Sequence, residues 1–284
     1  MAEIGAVDWP TDRRRGRNAA RPLKDSPFQR IGHVKTMAGT LAATGVLLPP
    51  ALTLRWLGRN GGGRVPMAWH RFVSRSLGVQ SRMLGMPASG SVLYVSNHLS
   101  WLDIPLLGSR LNGSFVAKAE VGEMGFVSLL ADLQNTIYVE REQRRRSAEQ
   151  AGSIGDRLRE GGNVILFPEG TSNDGVRILP FKSTLFSVVE GAAADGIRIQ
   201  PISIAYTHLN RLPLTRQRLM DIAWVGDMEL GPHALDFMRL GRIDASILCH
   251  PPVRRADFAD RKALARHCHG VISAGYEKLM RGEI

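Results

Sequence analysis

The sequence predicts an α/β fold: a mixed, largely parallel sheet flanked by helices, with an N-terminal membrane-associated helical segment. Three observations predict it. Short apolar runs such as Val92-Leu93-Tyr94-Val95 and Val164-Ile165-Leu166-Phe167 stop on turn residues, as buried strands do. Such runs alternate with longer segments of helical character, the pattern of a parallel sheet with crossover helices. Upstream, residues 34–57 form the most apolar long segment of the chain, about long enough to cross a bilayer core.

In chain order, residues 1–33 are polar, carry Arg13-Arg14-Arg15 and several prolines, and read as a disordered basic tail without a secretory signal. Pro49-Pro50 interrupts the apolar segment, and adjacent prolines remove backbone donors and kink a helix. A membrane-embedded helical hairpin or kinked helix is therefore expected, ahead of a straight span or a buried packing helix. Lys35 on one flank and Arg55, Arg59 and Arg64 on the other favour insertion from one face. Asn60-Gly61-Gly62-Gly63 is a linker, so the membrane-associated unit is placed at 34–64 and the main domain at 65–284. Residues 66–84 read as an amphipathic helix, with Phe72, Val73 and Leu77 on its apolar side.

The alternation then begins. Strands are expected at 92–96, 114–118, 136–140, 163–167 and 197–205, and near 222–227 and 244–249. Helices are expected from near Leu102, at 122–132, 143–160 and 183–194, and at 257–281. No internal repeat is visible.

Lys and Arg number 37 against 26 Asp and Glu, a formal net charge of +11, which favours an anionic partner. Nucleic acid is not expected as that partner: zinc-finger spacing, RNA-binding aromatic signatures and basic heptads are all missing. Cys249 and Cys268 have no CxxC partners, so neither a disulfide framework nor a zinc ribbon is implied. His267-Cys268-His269 does not suggest a metal site, because adjacent helical side chains point in different directions and chelate poorly.

The chemistry concentrates in Asn97-His98-Leu99-Ser100-Trp101-Leu102-Asp103. A strand ending at Ser96-Asn97 presents His98 at the carboxyl edge of a sheet, where open α/β sheets bind ligands. Asp103, folded back onto the imidazole, would fix its tautomer and leave the other nitrogen as a base. By itself the spacing also suits a turn histidine beside a helix-capping aspartate. A second strand ends on Phe167-Pro168-Glu169-Gly170-Thr171, so two strand-end motifs point to one site. The chain has no G-x-S-x-G elbow, and nothing marks Ser96 or Ser100 as a nucleophile.

With Thr136-Ile137-Tyr138-Val139-Glu140-Arg141 between these blocks and Ile199-Gln200-Pro201-Ile202-Ser203-Ile204 after them, the chain resembles the glycerolipid acyltransferases. That family is typified by 1-acylglycerol-3-phosphate (lysophosphatidic acid) acyltransferase. The resemblance implies acyl transfer from a thioester, acyl-CoA or acyl carrier protein, to a lysophospholipid hydroxyl, with no cofactor beyond that co-substrate. It implies work at the bilayer, on the cytoplasmic face of the inner membrane. It assigns His98 as base, Asp103 as its orienting partner and Glu169 as a third catalytic-site carboxylate. Asn97, Lys118, Arg141, Gly170, Thr171 and Lys182 become substrate-binding candidates, Arg141 for a phosphate and the Gly170 turn for an oxyanion.

One departure bears on the acceptor. After FPEGT the common pattern continues with arginine and serine, whereas here Ser172-Asn173-Asp174-Gly175 follows, leaving Arg177 or Lys182 to replace the lost cation. The run Arg177-Ile178-Leu179-Pro180-Phe181-Lys182-Ser183 also resembles a bacterial branch that includes lyso-ornithine lipid acyltransferases. The leading expectation is acylation of the sn-2 hydroxyl of 1-acylglycerol-3-phosphate to phosphatidic acid. Lyso-ornithine lipid is the alternative acceptor, and a peripheral membrane protein on an inactive acyltransferase scaffold is the non-enzymatic one.

Overall fold

The computed structural model describes residues 27–56, 63–123, 125–139, 144–190, 196–225 and 228–284. Most of the predicted basic tail and the predicted ligand Arg141 lie outside the described residues.

Helix α1 (Pro27–Trp56) runs 30 residues without a break, with Pro49 and Pro50 inside it. It begins within the stretch expected to be tail, and it is neither a hairpin nor two segments. Both prolines sit on its exposed side, so the lost backbone bonds fall where water can replace them. Packing along α2 (Arg64–Ser76) holds the helix together, and Trp69 Nε1 donates to Thr44 Oγ1 across that interface at 3.0 Å. Among the described residues, no helix is long and apolar enough to cross a membrane.

The amphipathic pattern expected to 84 ends early. Leu77 closes α2, Gly78 turns in the left-handed region at φ 79°, and β1 (Val79–Leu84) follows. A Cβ on Gly78 would lie 2.6 Å from the Gly241 carbonyl oxygen, so the close approach of two backbones sets this turn. Residues 79–84 suit either periodicity, and pairing with a distant strand decides between them.

The remaining elements follow as β2 (Val92–Ser96), α3 (Asp103–Gly108), β3 (Ser114–Lys118), α4 (Phe126–Leu133), β4 (Ile137–Val139), α5 (Arg144–Arg159) and β5 (Val164–Leu166). Then come β6 (Arg198–Leu209), β7 (Leu212–Pro213), α6 (Arg216–Leu219), α7 (Leu230–Phe237), β8 (Ile243–Cys249) and α8 (Arg261–Arg281). The expected helix at 183 is a 3-10 turn, Ser183–Val189.

The strand expected near 222–227 does not form. Ile222 and Ala223 are buried in the core, but Ile222 donates its N–H back to Leu219 and Trp224 donates to Leu99. An apolar run can be core without joining a ladder. Helix α7, which follows, carries no clear sequence signal.

The sheet order is β1-β8-β6-β2-β5-β3-β4, with β7 paired to β6. From β6 to β4 all neighbours are parallel, while β8 is antiparallel to β6 and β1 is parallel to β8. Mixed and largely parallel is therefore what is observed. Successive residues of β2 feed opposite faces: Val92 and Tyr94 join Leu106, Phe115 and Phe237, while Leu93 and Val95 join Leu158, Phe186 and Ile272. Both faces of the central strands are covered, which explains their unbroken apolar runs.

This topology places the site. Strands β2 and β5 are adjacent and parallel, with Leu93, Tyr94 and Val95 opposite Val164, Ile165 and Leu166. The loops that leave them, one with His98 and one with Glu169, therefore emerge side by side at one edge.

Candidate active site

His98 sits at the mouth of that edge with its side chain 16% exposed, while Asp103 is fully buried. His98 Nδ1 lies 2.8 Å from Asp103 Oδ2. The same oxygen accepts the N–H groups of Leu99 and Ser100 at 2.6 and 2.9 Å, and Oδ1 accepts the Tyr206 hydroxyl at 2.7 Å. Asp103 is thus an acceptor in each of these contacts, the geometry of a carboxylate. It fixes the imidazole proton on Nδ1 and leaves Nε2 with its lone pair as the basic nitrogen of the ring. The ring stacks on Phe167 from the other motif, with centroids 4.2 Å apart and planes 18° from parallel.

The buried Glu169 joins the two loops. Oε1 accepts the His98 N–H at 2.8 Å, and Oε2 accepts the Leu179 N–H at 2.8 Å and the Asn173 amide. Asn173 in turn donates its N–H to the His98 carbonyl. Burial pushes the Glu169 carboxyl up to about 7, while these three donors hold it back. Both oxygens face protein donors. These contacts set the relative position of the two motifs.

Asn97 corrects an expectation. Its Nδ2 donates to the Ile204 carbonyl and its Oδ1 accepts the Ile204 N–H, at 3.0 and 2.9 Å. The side chain staples the end of β2 to β6, and its amide is not offered to a substrate.

Gly170 turns at φ 76°, and its N–H closes the turn onto the Phe167 carbonyl. A Cβ there would meet Lys182 Nζ at 2.8 Å, so the lysine stem and ammonium lie directly over this glycine. The structure thereby brings Lys182, twelve residues beyond Gly170, to the FPEGT turn. Thr171 is exposed at the same turn. Lys118 ends β3, two strands from β2; at ordinary strand spacing that is about 10 Å along the same edge. Arg177 is exposed. The Ser172 hydroxyl, where the common pattern has arginine, donates to the Trp224 carbonyl.

Tyr206, Asn173, Trp224 and His233 were not legible from the motifs. Tyr206 meets Asp103 across 103 residues of chain, a contact without a local pattern.

The whole arrangement is a histidine–aspartate base at a sheet edge, roofed by an aromatic ring and flanked by a cation. Residues 81–205 match the family model described as Acyltransferase. The chain belongs to the acyltransferase family. It is 37% identical over 224 residues to a lyso-ornithine lipid O-acyltransferase of Brucella abortus, covering 77% of this chain and 84% of that one. A lyso-ornithine lipid O-acyltransferase of Rhizobium meliloti is 36% identical over 226 residues, covering 78% and 77%. The crystal structure of the 1-acyl-sn-glycerophosphate (LPA) acyltransferase PlsC of Thermotoga maritima superposes with a TM-score of 0.66 at 18% identity, covering 89% of this chain and 96% of that one. This last likeness establishes the shared fold.

Proposed function

We propose that the protein is a membrane-associated lyso-ornithine lipid O-acyltransferase that uses an acyl-CoA or acyl carrier protein thioester. The observation that carries the acceptor is similarity over three-quarters of the chain to proteins bearing that name. The site supports it. Position 172 offers no cation, since the Ser172 hydroxyl is engaged by the Trp224 carbonyl. Two residues on, Asp174 is half-buried. Its carboxylate, with those of Asp103 and Glu169, adds to burial in pushing the Tyr276 hydroxyl well up. Asp103 and Glu169 are committed to protein donors, so Asp174 is the carboxylate that suits a headgroup carrying an amine. Lysophosphatidate is the second reading, favoured by Lys118 at the same edge and by Arg141 in the sequence.

In this reading, His98 Nε2 takes the proton of the acceptor hydroxyl as its oxygen attacks the thioester carbonyl carbon. Asp103 stabilises the imidazolium that forms. Lys182, held over the Gly170 turn, supplies positive charge for the developing oxyanion. Collapse breaks the C–S bond, the imidazolium returns its proton to the sulfur, and an ester and a thiol leave.

Membrane attachment in this proposal uses the outer faces of α1, α2 and α4, where Leu41, Val46, Leu52, Phe72, Val127 and Leu129 are exposed. It places the site on the cytoplasmic face of the inner membrane. The deciding experiment crosses both acceptors with both donors in vesicles. Transfer to lyso-ornithine lipid should exceed transfer to lysophosphatidate, and Asp174→Asn should narrow the difference. Turnover of lysophosphatidate alone would overturn the choice of acceptor.

A further inference from the structure

The segment between β6 and β8 does more than connect strands. Trp224, in the irregular stretch after α6, donates its N–H to the Leu99 carbonyl at 3.1 Å and accepts the Ser172 hydroxyl at its own carbonyl. One residue thereby holds both motif loops. A second tie comes from α7. His233, buried at 7% exposure, accepts the indole N–H of Trp101 at Nδ1, 3.0 Å away. Its Nε2 donates to the Ala223 carbonyl at 2.9 Å. The Trp101 ring also meets Phe237 edge to face, with centroids 5.6 Å apart. Trp101 lies between His98 and Asp103 in a loop without regular backbone pairing.

We infer that His233 is a positioning residue for the His98–Asp103 pair, acting through Trp101, and that Trp224 and α7 form a brace completing the active site. Only an imidazole with its proton on Nε2 can accept from the indole and donate to Ala223 at once. This bond pair fixes both the ring and the stretch that carries Trp224. The loop that presents His98 is thereby held from outside the two motifs. A base must stay within a fraction of an ångström of its working position, and loops hold such positions poorly unless braced.

The inference rests on His98 as the base, so the test includes His98→Ala. Kinetics are measured on full-length His233→Phe, His233→Gln, Trp101→Phe and the double variant His233→Phe/Trp101→Phe. The acceptor is whichever of lyso-ornithine lipid and lysophosphatidate the wild type acylates faster. Thermal melting and the Trp101 indole N–H resonance are recorded alongside. His233→Phe and Trp101→Phe should each lower kcat by roughly ten- to a hundredfold with little change in KM, the size of effect expected when reacting groups are misplaced. The double variant should lose no more than the worse single, because both substitutions remove the same bond. His233→Gln, which keeps an acceptor and a donor, should recover most of kcat and of the indole shift. Wild-type kcat in folded His233→Phe, or losses that add in the double variant, would overturn the inference. If His233→Phe does not fold, Trp101→Phe tests the same bond from the other side. An active His98→Ala would instead overturn the base assignment.

Discussion

In the proposed reaction His98 and Asp103 do the chemistry through ordinary geometry: a buried carboxylate holds one ring nitrogen at 2.8 Å and leaves the other as the base. Replacing His98 with alanine should lower transfer by about a thousandfold or more, as loss of a general base does. Asp103→Asn should cost about three to four orders of magnitude in kcat with the fold retained, since an amide no longer fixes the tautomer. Steady-state rates of both variants check this, and near-normal turnover in either would contradict the assignment. Glu169 gives a prediction on stability. Its folded carboxyl is held at about 7 against an ordinary 4.5, so the folded state retains a proton that the unfolded state has released. Between those values the folded form binds more protons than the unfolded, and stability falls as pH rises. Chemical denaturation from about pH 4.5 to about pH 7 should show the wild type losing stability relative to Glu169→Gln, which cannot titrate. A parallel trend in the two proteins would show that the carboxyl is not held up.

At the scale of elements, the site is built where distant strands meet. Tyr206, at 0% exposure on β6, supplies the hydroxyl on Asp103 Oδ1. Tyr206→Phe leaves a buried carboxylate oxygen without its donor, which should destabilise the protein by about 1–3 kcal/mol and reduce activity. Urea unfolding measures the first and initial rates the second. Gly78 lets α2 stop and β1 begin. Gly78→Ala should cost about 1–3 kcal/mol from backbone conformation alone, and more from contact with the Gly241 carbonyl. An unchanged melting temperature would mean that α2 and β1 can be joined without this close approach.

For the whole molecule, an open sheet covered on both faces carries a basic surface and a helical unit, α1 on α2, whose outer side exposes Leu41, Val46, Leu52 and Phe72 beside Arg64, Arg71 and Arg75. With a formal charge of +11, attachment to anionic vesicles should be strong at low salt and weaken as salt screens it. Removing residues 1–60 should greatly reduce attachment, because Leu41, Val46 and Leu52 go with α1. Vesicle co-sedimentation checks this; full pelleting of the truncated protein would place the membrane contact elsewhere.

The sequence by itself determined the strand-end motifs, the alternation of the central elements and the family. Each of these is written in contiguous residues: apolar runs for β2 and β5, and His98 five residues before Asp103. Only the tertiary structure decided the rest, because the information lies in pairs far apart along the chain. Strand β1 exists through its register with β8, 164 residues away at Val79 and Ile243. Helix α1 continues through Pro49-Pro50 as one element that packs along α2, where the prolines left a hairpin and a kinked helix both open. Asn97 passes from ligand to staple because Ile204 stands opposite it. Glu169 and Ser172 turn inward for the same reason: their partners, Leu179 and Trp224, arrive only when the chain folds back over them. Local pattern specifies which side chains bear the chemistry; which of them face the substrate depends on the buried donors and acceptors that folding brings alongside.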